Sequence, residues 1–358
     1  MKKIITIVGA RPQLIKAAVL SRVIAEHQVV NEVLVHTGQH FDPNMSRIFF
    51  DEMGIPKPTY NLGINGLNHG AMTGQMLEKI ELVLEKERPD AVVVYGDTNS
   101  TIAGALAAKK FSVKVIHIEA GLRSFNMEMP EEINRVLTDR ISDLLLCPTK
   151  QAVLNLKKEG FDHFDVTVVQ CGDIMKDAVS YYGKIAEQSS NILDELNLSN
   201  FILATIHRQE NTSDIEKLKA IFLALEEIHK ETRVVLPLHP RTRAILIKEG
   251  IQPKIDLIDP IGYFDMLVLL KNCSVVVTDS GGLQKEAYFN QKHCVIVRDE
   301  TEWTELVDHG FACISGSDKN QIIADCHVLQ HRDSDFSINL YGDRVGEKIH
   351  SAICTLLE

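Results

Sequence analysis

A chain of 358 residues is long for one hydrophobic core and suits two domains of ordinary size. Apolar residues make up 45% and charged residues 24%, the balance of a soluble globular protein, and no apolar run has the length of a membrane span. Lys and Arg number 38 against 49 Asp and Glu; the resulting charge of -11 argues against a nucleic-acid surface but leaves room for an anionic small ligand in a locally positive site.

The opening MKKIITIVGARPQ places two lysines before an apolar stretch, as a signal peptide does. Gly9 and Pro12 close that stretch at once, so it reads as a buried first strand, and a cytoplasmic location is expected. Short apolar runs then predict strands at 4–8, 32–36, 91–95, 113–118, 144–147 and 166–169. A second series follows at 201–206, 233–238, 256–258, 274–278, 294–297 and 312–314. Helical spacing separates them, as at 12–25, 71–85 and 214–231. Continuously apolar strands alternating with helices predict an α/β protein with parallel sheets covered on both faces.

The stretch 172–200 reads as a helix, a polar turn around Ser189, Ser190 and Asn191, and a short helix. The expected organisation is therefore a Rossmann-like domain over 1–171 and a second over 172–338. A helical segment at 341–357, within a 339–358 tail, is expected to pack back on the first domain. The seven cysteines lie scattered with no C-x-x-C pair, and the fourteen histidines show no H-E-x-x-H spacing. Reduced core thiols and no metal are expected.

In open parallel sheets, ligands bind beyond the carboxyl ends of the strands, so the residues after each strand carry the functional signal. After the first strand comes Gly9-Ala10-Arg11-Pro12-Gln13-Leu14-Ile15-Lys16, where Pro12 suits a first helical turn and Arg11 and Lys16 stand near a helix start that favours anions. Taken alone, this is equally a strand–turn–helix with two surface bases. After 91–95 comes Gly96-Asp97-Thr98-Asn99-Ser100, in which Asp97 is either a helix N-cap or a catalytic carboxylate. Glu119, in His117-Ile118-Glu119-Ala120-Gly121-Leu122-Arg123, follows a buried strand directly and needs partners, for which Arg123 and Arg135 are candidates. Pro130-Glu131-Glu132 has the composition of a helix start, so dipole compensation is the simplest reading of its two acids.

In the second series, His207 ends a strand and precedes Arg208, Gln209 and Glu210, a richer setting than a structural histidine needs. Thr278-Asp279-Ser280-Gly281-Gly282 runs from a strand into a helix whose bare N–H groups suit a diphosphate, with Glu286 a turn further in for a ribose. There is no nicotinamide fingerprint and no nucleophile elbow. Carboxylates in one domain and an anion site in the other suit nucleotide-sugar chemistry without a redox cofactor.

These motifs, collinear from GARPQLIK through GDTNS, HIEAGLR, PEEINR and TIHRQEN to TDSGGLQKEA, resemble the non-hydrolysing UDP-N-acetylglucosamine 2-epimerase family. The resemblance covers essentially the whole chain. It implies two Rossmann-like domains facing across a cleft, as in glycosyltransferases of the B type, and a homodimer. It implies no cofactor and a UDP-sugar as the partner, with neither nucleic acid nor membrane. By the same resemblance Asp97, Glu119, Glu131 and His207 are catalytic. Arg11, Lys16, Arg135, Met266, Ser280, Gly281, Gly282 and Glu286 bind the UDP-sugar. The implied route eliminates UDP to a glycal and adds it back with carbon 2 inverted.

Departures point to a subgroup. The family's GTRPE is Gly9-Ala10-Arg11-Pro12-Gln13 here, its usual aromatic before the diphosphate strand is Met266, and an arginine of its RDxTERPE stretch is Trp303. A glutamine that binds an activating substrate molecule corresponds to Ser46, which puts that activation in doubt. The pattern is most similar to enzymes acting on UDP-2,3-diacetamido-2,3-dideoxy-D-glucuronate for O-antigen synthesis. Trp303 exchanges a donor fork for a flat apolar surface suited to an acetyl group. The rivals are action on UDP-N-acetylglucosamine, a glycosyltransferase, a hydrolysing epimerase and a pure binding protein.

Overall fold

The computed structural model describes residues 1–39, 54 and 56–358; Ser46 lies outside the described residues. The chain divides into two compact units, Met1–Ala178 with Asn339–Glu358, and Val179–Ile338. The helix Ile174–Ser189 contains the division, so the boundary falls inside that helix and not ahead of it at residue 172.

The first unit is built on seven strands: β1 (Lys2–Val8), β2 (Val30–His36), β3 (Tyr60–Asn61), β4 (Ala91–Tyr95), β5 (Lys114–Ile118), β6 (Leu144–Cys147) and β7 (Thr167–Gln170). They lie in the order β3-β2-β1-β4-β5-β6-β7, with parallel pairing throughout. Sequence explains this: every residue of the Ala-Val-Val-Val-Tyr strand β4 is 0% exposed, as a strand covered by helices on both faces requires. Each such valine contributes about 1.5–3 kcal/mol relative to an exposed one. The two-residue β3 has no β-branched run and was invisible to pattern reading.

The second unit repeats the plan with β8 (Phe201–Thr205), β9 (Arg233–Pro237), β10 (Asp256–Ile258), β11 (Val275–Thr278), β12 (His293–Ile296) and β13 (Ala312–Ile314). Their order is β10-β9-β8-β11-β12-β13, again all parallel. In each sheet the winding reverses beside the first strand, between β1 and β4 and between β8 and β11. The loops that leave those strands flank a crevice in which ligands of doubly wound sheets bind.

The last helix is Val345–Leu357, shorter than the expected 341–357, because Tyr341 stands in a bend whose carbonyl accepts from Asp173 N at 2.9 Å, close over Gly172. A Cβ at Gly172 would come within 2.3 Å of the Tyr341 carbonyl oxygen, so only glycine permits the approach. The helix packs within the first unit. Asp177 accepts from the Gly346 N–H at 2.8 Å, and His350 stacks on His27 at 4.6 Å between ring centroids. All seven cysteines are free thiols, five of them buried.

Candidate active site

The first unit places Gly9 at the end of β1 and Gly96 and Asp97 after β4, on either side of the switch point. A Cβ at Gly9 would lie 2.1 Å from Ser100 Oγ and 2.2 Å from Thr37 Oγ1, so the turn needs glycine for close approach. Gln13 spans the crevice. Its Oε1 accepts from the Gly9 and Ala10 N–H groups at 2.8 and 3.0 Å. Its Nε2 donates to the Tyr95 carbonyl at 2.7 Å and to Thr98 Oγ1 at 2.9 Å. A carboxylate at this position has no proton for the Tyr95 carbonyl, which gives the Glu-to-Gln departure a physical content. Pro12 stands at the start of the helix Arg11–His27, as expected, with Arg11 half-buried beside it.

Lys16, 8% exposed, points back along this helix and bonds the carboxylate of Glu119. Glu119 has a left-handed backbone with φ of 74°, a costly conformation for a residue with a Cβ and one that clusters at functional sites. The sequence offered Arg123 and Arg135 as its partners; Lys16, which it did not offer, bonds the carboxylate. Arg123 grips Asp139 and Glu159 instead, and Arg135 bonds Asp97 and, at 3.0 Å, Glu132. Asp97 is not an N-cap. Thr98 caps the following helix, its hydroxyl accepting from Thr101 N at 3.3 Å, which leaves the half-buried Asp97 carboxylate to Arg135.

The adjacent acids of Pro130-Glu131-Glu132 separate completely. Glu131 is exposed. Glu132 is 1% exposed and accepts from Ser124 N at 2.9 Å, Phe125 N at 2.9 Å and Ser124 Oγ at 3.0 Å. Glu132 therefore anchors a loop, while Glu131 is available to a ligand. Sequence reasoning also passed over Asp139, which is fully buried and bonded to His117, Gly121 N and Arg123. Burial pushes its pKa up, but His117 and Arg123 more than offset this and hold it below the ordinary carboxylate value.

In the second unit Asp279 plays the spanning role that Gln13 plays in the first. Fully buried at the end of β11, it accepts from the His207 and Arg208 N–H groups beyond β8 at 3.0 and 2.9 Å and from Asn211 Nδ2 at 3.1 Å. His207 Nδ1 stands 3.8 Å from it. Burial lowers the His207 pKa; Asp279 opposes that, and Arg208 and Arg241 lower it further, so the net shift is downward. Beside it the helix Gly281–Phe289 begins at Ser280, whose side chain makes no cap bond. The space around a Cβ at Gly282 is open to 4 Å. First-turn N–H groups without a side-chain cap can donate to an anion. Glu286 lies on the buried flank of this helix, and Met266 is half-buried in the first turn of the helix Tyr263–Asn272.

Trp303 is 5% exposed and packs against that helix start. Its Nε1 lies 3.7 Å from where a Gly281 Cβ would stand, and Lys285 Nζ sits 3.8 Å above its ring. Next to it Glu302 receives both arms of Arg298 at 2.9 and 3.0 Å, with Arg208 4.0 Å away. Burial alone raises the Glu302 pKa, but Arg298 and Arg208 bring it down to about 2. Among the described residues, no three His, Cys, Asp or Glu side chains group as metal ligands, and no helix is long and apolar enough to cross a membrane.

The sequence profile of the UDP-N-acetylglucosamine 2-epimerase family matches residues 22–354. A UDP-2,3-diacetamido-2,3-dideoxy-D-glucuronate 2-epimerase of Pseudomonas aeruginosa is 51% identical over 341 residues, covering 95% of this chain and 96% of that protein. A UDP-N-acetylglucosamine 2-epimerase homolog of Methanococcus maripaludis is 50% identical over 330 residues, 90% of each chain. The fold superposes with a TM-score of 0.91 on the crystal structure of Methanocaldococcus jannaschii UDP-GlcNAc 2-epimerase in complex with UDP-GlcNAc and UDP, at 39% identity over 99% of this chain and 100% of that one. With two parallel-sheet units matching along their whole length, the chain belongs to the UDP-N-acetylglucosamine 2-epimerase family, isomerases of UDP-linked sugars.

Proposed function

We propose that the protein inverts carbon 2 of UDP-2,3-diacetamido-2,3-dideoxy-D-glucuronate to give the manno epimer. The observation that carries this choice is the 51% identity, over nearly the full length of both chains, to a relative described as that epimerase. The Methanococcus maripaludis homolog and the UDP-GlcNAc-bound structure favour a second reading, action on UDP-N-acetylglucosamine. Membership of an isomerase family leaves the transferase and scaffold readings without support.

The chemistry explains why carboxylates and an anion site are both needed. The hydrogen on carbon 2 is barely acidic in the intact sugar. As the C1–O bond breaks and its electron pair leaves with UDP, positive character at carbon 1 acidifies that hydrogen. A carboxylate takes the proton, and the C2–H electrons form the C1=C2 double bond of a glycal. Return reverses each step: a UDP oxygen re-adds to carbon 1, and a proton reaches carbon 2 on the opposite face. Asp97, Glu119 and Glu131 are assigned to proton transfer. Arg11, Lys16, Arg135, His207 and the helix start at Ser280, Gly281 and Gly282 are assigned to the charge of the departing diphosphate. Met266 and Glu286 are assigned to the uridine end. No cofactor enters this balance.

On this reading the enzyme works in the cytoplasm, as a homodimer, on a precursor for lipopolysaccharide O-antigen; the motif resemblance supports these assignments. Product analysis with each sugar nucleotide tests the proposal. A manno product still joined to UDP, formed faster from the diacetamido-glucuronate, is expected. Faster turnover of UDP-N-acetylglucosamine would select the second reading, and free sugar with UDP would mean hydrolysis.

A further inference from the structure

Two of the proposed acid–base residues are carried on tight turns, Asp97 after β4 and Glu119 after β5, and one buried side chain lies between those turns. His117, on β5, is 0% exposed and opposite Val94 of β4. Its Nε2 is 2.7 Å from the carbonyl oxygen of Gly96, the residue before Asp97. Its Nδ1 is 2.6 Å from Asp139 Oδ1. A carbonyl accepts only, so Nε2 carries a proton and donates it. The other oxygen of Asp139 accepts from Gly121 N at 3.1 Å, just beyond Glu119, and from Arg123 Nη1 at 2.7 Å. Arg123 is fixed in turn by a two-armed bond to Glu159 at 2.7 and 2.8 Å. The Gly96 N–H donates to the Ile118 carbonyl at 2.9 Å, so the turn is tied to β5 from both its donor and its acceptor.

We infer that His117 is a positioning residue: through Gly96 on one ring nitrogen and Asp139 on the other, it sets the separation and aim of the Asp97 and Glu119 carboxylates. The inference rests on the assignment of those carboxylates to proton transfer. Other bonds hold each turn by itself, Glu119 N to the Leu146 carbonyl at 3.0 Å and Asn134 Nδ2 to the Asp97 carbonyl at 2.9 Å, while the His117 ring is bonded towards both. Glu119 is in a left-handed conformation that the surroundings must impose, and Asp97 is half-exposed. A buried, fully bonded polar chain supplies rigidity that apolar packing at a loop does not.

The two ring nitrogens can be tested separately. His117→Gln places an amide donor near the Nε2 position and keeps the Gly96 bond. His117→Asn places one near Nδ1, keeps the Asp139 bond and releases the Gly96 turn. In His117→Asn, kcat should fall at least about tenfold, the scale of a small misplacement of reacting groups, while the UDP dissociation constant stays within about twofold. The primary isotope effect with 2-deuterated substrate should rise, because proton transfer from carbon 2 becomes slower relative to the other steps. His117→Gln should recover much of the lost kcat. Asp97→Asn is measured alongside. If Asp97→Asn is inactive while folded His117→Asn turns over within about twofold of wild type, positioning by His117 is wrong and the carboxylate assignment stands. If both His117 variants lose kcat equally with no change in isotope effect, the residue serves the fold alone and the inference is overturned. If Asp97→Asn is fully active, the underlying assignment of Asp97 fails first.

Discussion

The Asp279 carboxylate accepts the backbone N–H of His207 at 3.0 Å and stands 3.8 Å from its imidazole Nδ1. One buried acid thus holds the histidine's backbone in place and faces its ring. Burial nevertheless wins over this neighbour, and the His207 pKa lies below its ordinary 6.5. The shift favours the neutral form of His207 in the free protein. A diphosphate brought to the ring favours the imidazolium and raises that pKa. UDP binding should then take up to about one proton and weaken as pH rises between the free and bound values. Calorimetry in buffers of different ionisation enthalpy measures the uptake, which should vanish in His207→Gln. Proton release on binding would contradict the assignment.

Glu131 and Glu132 should separate in function as they do in exposure. Glu131→Gln should lose about a hundredfold or more in kcat, the usual share of acid–base catalysis, with an unchanged melting temperature. Glu132→Ala strands Ser124 N, Phe125 N and an arm of Arg135, and should destabilise the first unit by about 3 kcal/mol. Denaturation and steady-state kinetics on both variants check the pair. A stable, active Glu132→Ala would remove its anchoring role.

The Glu302–Arg298 pair predicts an acid limb of stability. A carboxyl held at about 2 against an ordinary 4.5 stabilises the fold above its unfolded value and loses that contribution as pH falls. The stability gap between wild type and Glu302→Gln should be widest near neutral pH and should narrow from about 4.5 down to about 2. A gap independent of pH would contradict the pairing.

Trp303 is the candidate for substrate choice. Trp303→Arg should shift preference towards UDP-N-acetylglucosamine. The new guanidinium also meets Lys285, whose Nζ lies 3.8 Å from the present ring, so some loss of stability is expected. Trp303→Phe keeps a flat apolar face and should keep the wild-type preference. The ratio of kcat/KM for the two sugars checks both, and unchanged ratios in both variants would remove Trp303 from specificity.

Sequence pattern reached the strands whose runs are continuously apolar, such as Val275–Thr278, because burial on both faces leaves no other composition. It missed Tyr60–Asn61, which is held by pairing with β2 and not by its own propensity. Strand ends exposed Asp97, Glu119 and His207, since charge directly after a buried run is anomalous. It did not reveal that Lys16 meets Glu119 across 103 positions, or that Gln13, Asp139 and Asp279 brace the loops. Those roles come from long-range approach in three dimensions and leave no local signature. The split between Glu131 and Glu132 depends on helix rotation, which the bare dipeptide does not encode.

The central claim is inversion at carbon 2 through elimination and return of UDP. Incubation of the enzyme with the diacetamido-glucuronate nucleotide in heavy water, followed by NMR of the C2 proton, tests it most directly. Loss of the C2 proton signal, with deuterium in a manno product still bound to UDP, is predicted. Inversion without solvent exchange, or no exchange with this sugar or with UDP-N-acetylglucosamine, would contradict it.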